Sequence, residues 1–247
     1  MRLEKTRARY GTGDCLKLNK RKCNISIELI PCGADMLKII WCIGEDSHTF
    51  RASSVMGYQF SAFVGAMYQL YSEGPDTHSH NRGTGHKASF TFPGGDSSLQ
   101  KDEVRSKTII NWDGEGPYYT ITLDRKCKHW NYPVEDGEDP IEISINSTRN
   151  APYTCTVDGH DLCYAVAKAY TEAIKKYGFY GYYSSTGGNC NGFGDVIDLN
   201  MILFIKAYAL NVMEVRNLET VWKAKRGWEH AEGTSFDKEI ELLLFDM

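Results

Sequence analysis

No long apolar run occurs in this 247-residue sequence; the longest, Met201 to Ile205, is far short of the roughly 20 residues a membrane-spanning helix needs. Met1-Arg2-Leu3-Glu4-Lys5 leads into no apolar core of a signal peptide, so a cytoplasmic location is expected. Internal repeats, low-complexity stretches and closely spaced Cys-x-x-Cys pairs are also missing, which excludes solenoids and the commonest zinc modules. The eight cysteines are scattered over the whole length, from Cys15 to Cys190. Short secreted chains concentrate theirs into a disulfide framework, so reduced thiols are expected here. With 42% hydrophobic residues against 24% charged, the composition is that of a folded chain with a core of its own.

Charge is divided unequally. Residues 1–22 hold eight Lys/Arg against Glu4 and Asp14, a balance of +6, which leaves −10 on the rest of a chain whose net charge is −4. A basic head can meet an anionic surface, but the acidic body opposes nucleic acid and suits a basic protein partner. The division expected is a basic segment 1–22, then one domain over 23–247 with a polar excursion near 76–106.

The chain is organised around the stretch from Val157 to Leu210. Asp158 is placed to cap a helix whose apolar positions Leu162, Ala165, Val166, Ala169 and Ile174 recur at three- and four-residue spacing. Lys175 and Lys176 followed by Gly178 mark its end. Phe179 to Tyr183 reads as a short aromatic strand or turn, and Ser184 to Gly194 as a polar loop. From about Asp195 to Leu210 a second helix is apolar on nearly all sides and so belongs in the core.

Before this stretch, strands are expected at Asn24–Ile30, Met36–Ile43 and Thr49–Ala52, with a turn at Pro31 to Asp35 and a helix from Ser53 or Ser54 to Tyr71. Lys107–Trp112 and Tyr118–Leu123 flank a Gly-bearing turn, the strongest hairpin signal in the chain. Ile141–Ile145 and Tyr153–Val157 complete the strands. The tail from Phe236 to Met247 is apolar enough to dock. Strands before helices without βαβ alternation predict an α+β fold, a mainly antiparallel sheet packed against two or three helices.

Catalytic signatures are weak throughout. His78, His80 and His86 offer imidazoles for a metal, but in a glycine-rich stretch with no fixed spacing. Cys127, His129, His160 and Cys163 make a four-ligand set only if two distant segments meet. Cys190 sits before a helix, where its thiol would be activated, without a placeable base. Gly187 to Gly194 lacks the Lys-Ser/Thr ending of a phosphate loop. Paired acids, Asp113 with Glu115 and Asp195 with Asp198, read first as turn and helix-end carboxylates. No cofactor is expected.

Three pieces together carry a resemblance: Trp112-Asp113-Gly114-Glu115-Gly116 before an alternating strand, the helix Val166 to Tyr177 running into Gly178-Phe179-Tyr180-Gly181-Tyr182, and the close from Phe236 to Phe245. Over about residues 50–247 the chain resembles bacterial immunity proteins of contact-dependent or polymorphic toxin systems. The resemblance implies a non-enzymatic protein that binds a cognate toxin and blocks it. An acidic body would complement a basic toxin domain. The contact residues expected are turn acids and an aromatic anchor: Trp112, Asp113, Glu115, Glu135, Asp136, Glu138 and Asp139. The competing expectations are a hydrolase using the histidine stretch or Cys190, and a structural subunit docking a second copy through the apolar tail.

Overall fold

Alternation of large apolar and polar side chains from Ile25 onward forces two faces on each strand, and the apolar faces determine how the strands stack. In the computed structural model, which describes residues 23–33, 36–53, 60–71, 106–113, 117–126, 137–187, 199–210 and 236–247, they form two antiparallel meanders. The first contains β1 (Ile25–Gly33), β2 (Met36–Ile43) and β3 (Asp46–Ser53). Its inner rows are Ile27 opposite Trp41 opposite His48, and Leu29 opposite Ile39 opposite Phe50. Gly44 at φ +60 makes the two-residue turn from β2 to β3, a conformation open to glycine at no steric cost.

Four strands form the second meander: β4 (Ser106–Asp113), β5 (Tyr118–Arg125), β6 (Pro140–Ser147) and β7 (Tyr153–Asp158). Its inner rows run Ile110–Ile121–Ile145–Tyr153 and Thr108–Leu123–Ile143–Cys155, and at one end Arg125–Ile141–Val157. The inner faces of the two sheets meet through rings. Phe50 stands edge-on to Trp112 and Tyr119, with centroids 5.4 and 5.2 Å apart, and His48 lies 4.3 Å from Tyr153.

Helix α1 (Phe60–Tyr71) inserts Phe63 between Trp41 and Trp112, at 5.3 and 5.9 Å. Helix α2 (Gly159–Gly187) runs along β1, the outer strand of its sheet, and covers that edge. Asp158 caps it as expected: its Oδ1 accepts from the backbone N–H groups of His160 (3.0 Å) and Asp161 (3.4 Å). Helices α3 (Leu199–Ala209) and α4 (Phe236–Leu244) close the core, and residues Ile202 to Ala209 are all buried. The tail is docked, with Leu242 and Met247 buried.

The fold is α+β and its sheets are antiparallel, as expected; there are two sheets rather than one, and four helices among the described residues. Two local readings are corrected. Pro31 to Gly33 is not a turn but the end of β1, carried through a bulge. A proline is tolerated there because β1 is the outer strand of its sheet. Gly178, at φ 71, ψ 163, breaks the helix as expected, but helical backbone resumes beyond it, so Phe179 to Tyr183 is helical and neither strand nor turn, and Ser184 to Gly187 is helix rather than loop. Twelve helical residues would advance about 18 Å, yet the rings of Tyr170 and Tyr182 are 6.0 Å apart. The chain therefore doubles back at Gly178, which leaves Phe179 exposed at the bend.

Candidate functional site: an acidic turn on a buried anchor

Among the inward-facing positions of the second sheet one is charged. Arg125 follows Ile121 and Leu123 at period two, so the strand directs it into the core, where it is 3% exposed. A buried guanidinium needs an acid. Asp139, fully buried at the entrance to β6, supplies it: Arg125 Nε donates to Asp139 Oδ1 at 2.6 Å. The other carboxylate oxygen, Oδ2, accepts from the Tyr208 hydroxyl of α3 at 2.6 Å. Arg125 Nη1 also reaches the Leu70 carbonyl at the end of α1, at 3.5 Å. His160 of α2 stacks on Tyr208, rings 4.4 Å apart and 11° from parallel. Burial above all, then the Asp139 carboxylate, drives the Tyr208 hydroxyl well above its ordinary titration range; Arg125 opposes this.

The backbone beside this cluster is fastened as well. Gly159 N–H donates to the Asp139 carbonyl at 2.8 Å, and Lys126 N–H to that of Pro140 at 2.8 Å. Asp158 Oδ2 accepts from Gly137 N–H at 2.9 Å, so the residue that caps α2 also pins the turn. Glu138, between Gly137 and the buried Asp139, is exposed. An acidic turn thus stands on a rigid foot.

Of the expected contact residues, two are corrected. Trp112 is 2% exposed, packed against Phe50 and Phe63, because it continues the inward alternation of Thr108 and Ile110. Asp139 is fully buried, committed to Arg125 and Tyr208. Neither is an exposed contact residue. Asp113 closes β4 opposite Tyr118, and nothing of its side chain is described. Glu115, Glu135 and Asp136 lie outside the described residues, as do His78, His80, His86, Cys127, His129, Cys190, Asp195, Asp198 and the basic segment 1–22. His160 and Cys163 are both buried on α2.

Sequence reading missed Arg125, Tyr208 and Lys206. The signal for Arg125 was its place in the alternation of β5, and for Lys206 and Tyr208 their place in a helix apolar on nearly all sides.

A second grouping lies at the seam of the two sheets. The Tyr153 hydroxyl donates to Asp46 Oδ2 at 3.1 Å, with His48 against its ring and Cys155 two residues along the same face. Burial pushes the Cys155 thiol up, and burial with the Cys155 and Asp46 neighbours pushes the Tyr153 hydroxyl up. Both groups are held protonated, the opposite of an activated nucleophile. Among the described residues no set of three or more His, Cys, Asp or Glu is placed to hold a metal ion, and no helix is long and apolar enough to cross a membrane. No protein-family model, curated protein or solved structure matches this chain.

Proposed function

We propose that this chain is a non-enzymatic binding protein that holds a basic protein partner, of the toxin-domain kind, through the acidic turn around Glu138. One observation carries the reading: the turn is fixed from beneath by the buried Asp139 anchor and by Asp158, while Glu138 faces solvent. Fixing a loop before binding reduces the ordering cost that association otherwise incurs. Glu135 and Asp136 adjoin it in sequence, and the charge of −10 beyond residue 22 steers a basic partner toward the body. The chemistry of the two polar groupings supports the non-enzymatic part. In one, both carboxylate oxygens of Asp139 are occupied by Arg125 and Tyr208; in the other, thiol and phenol stay protonated.

The test is capture of partner by the purified chain and by a triple variant, Glu135→Lys, Asp136→Lys and Glu138→Lys. Binding that weakens with salt and falls at least tenfold on reversal, on an intact fold, supports the reading. Capture unaffected by the reversal, or hydrolytic turnover lost on Cys190→Ala or His78→Ala, overturns it.

A further inference from the structure

Helix α3 is buried from Ile202 to Ala209 and carries one charged residue. Lys206 is fully buried in it, an ammonium removed from water. Its Nζ donates to the carbonyls of Phe245 (2.7 Å) and Leu243 (3.1 Å), at the C-terminal end of α4, and lies 3.5 Å from Thr171 Oγ1 of α2. Thr171 in turn donates to the Ala167 carbonyl at 2.8 Å. The cage is therefore three neutral oxygens. The charges acting on Lys206 are Lys175 of α2 and Asp246 of the tail, which pair with each other at 2.8 Å and oppose one another in effect. Helix α1, which meets α3 through Tyr68 against Phe204, carries no charged residue, and Glu239 and Glu241 are the half-buried acids of α4.

What Lys206 holds is slight by itself. Helix α4 has nine residues, too few to persist in water without packing. It buries Leu242 against Leu203 and Ala207, Phe245 and Met247 follow it into the core, and Leu244 stays 71% exposed. Such a segment opens locally at a free energy below that of global unfolding.

We propose that residues 236–247 form a detachable strap on α3 whose seat is governed by the ionisation of Lys206: the neutral amine holds the strap and the ammonium loosens it. The direction follows from burial. Seated, the strap removes Lys206 from water and brings near it only the exposed Asp246 carboxylate, already paired with Lys175, so burial dominates and favours the neutral form. Unseated, the amine regains solvent and its ordinary basicity. Protonation is thus linked to opening. Burial first, then Lys175, lowers the amine from 10.5 to about 8, so the linkage sets in near pH 8 and operates up to pH 10.5. Opening would uncover the apolar Leu203 and Ala207 on α3.

The experiment is amide hydrogen exchange on the full chain at residues 240–244, read as protection factors corrected for the intrinsic rate. Between pH 6.5 and 8.5 protection rises about fourfold, from a group titrating near 8 when seated and 10.5 when released. In Lys206→Met and in the permanently charged Lys206→Arg the rise is absent. A flat or falling profile in the native chain, or a rise that survives in either variant, overturns the proposal.

Discussion

Replacing Asp139 by Asn separates the two roles that an acid in this turn could have. Asparagine keeps the shape and one acceptor oxygen but removes the charge, so the Arg125 guanidinium, 3% exposed, is left in the core without its counter-ion. Breaking a buried pair from one side costs about 3–5 kcal/mol, because the remaining charge stays desolvated. For a chain of this length each kcal/mol moves the melting midpoint by about 2–4 °C, so a fall of about 6–20 °C is expected. Thermal and urea unfolding followed by circular dichroism measure it, and the double variant Arg125→Met, Asp139→Leu should recover much of the loss by removing both charges. Glu138→Lys, one residue away and exposed, should leave stability within about 0.5 kcal/mol and act on partner binding alone. A loss under about 1 kcal/mol for Asp139→Asn, with an unchanged denaturant slope, would refute the anchor.

Three further outcomes follow from the same packing. Tyr208→Phe removes a hydroxyl bonded to a carboxylate and should cost about 1.5–3 kcal/mol at pH 8. Because the folded hydroxyl titrates above the unfolded value of 10, its contribution is complete below pH 10 and fades as pH rises beyond it, so urea midpoints of native and Tyr208→Phe chains should converge from pH 10 upward. Gly178→Ala meets no atom within 4 Å, yet forces a Cβ onto a backbone at φ 71, ψ 163; a loss of about 1–3 kcal/mol in urea unfolding is expected, and equal stability would count against the bend. Trp112→Ala should cost about 3–5 kcal/mol, as removal of a core ring does, whereas a partner-contact residue would lose affinity and little stability.

What the sequence disclosed of this fold is what period two and period 3.6 encode. Met36–Ile43 matches β2 end to end, and the Asp158 cap is where the helical pattern begins. The failures come where a second neighbour decides. Pro31 and Gly33 look like a turn, and become strand because only one side of β1 has to pair. Gly178 does end the first helix at a positive φ, as its place after two lysines predicts, but no local pattern says that helix resumes and folds back until Tyr182 meets Tyr170.

Trp112 and Asp139 were misread for different reasons. Trp112 stands two residues after Ile110 and four after Thr108, so strand alternation already pointed it inward; its closeness to a glycine turn suggested surface instead. Asp139 carried no such sign. Its partners lie 14 and 69 residues away, on β5 and α3, and an acid in an acidic turn looks like its neighbours until the fold brings an arginine to it. Arg125 was the legible half of the pair. An arginine continuing the inward row of Ile121 and Leu123 requires a buried acid, and that requirement can be stated before the acid is known. The same argument applies to Lys206 in a helix apolar on nearly all sides, except that a lysine can meet the requirement by giving up its proton, so what it implies is a response to pH where Arg125 implies a fixed partner.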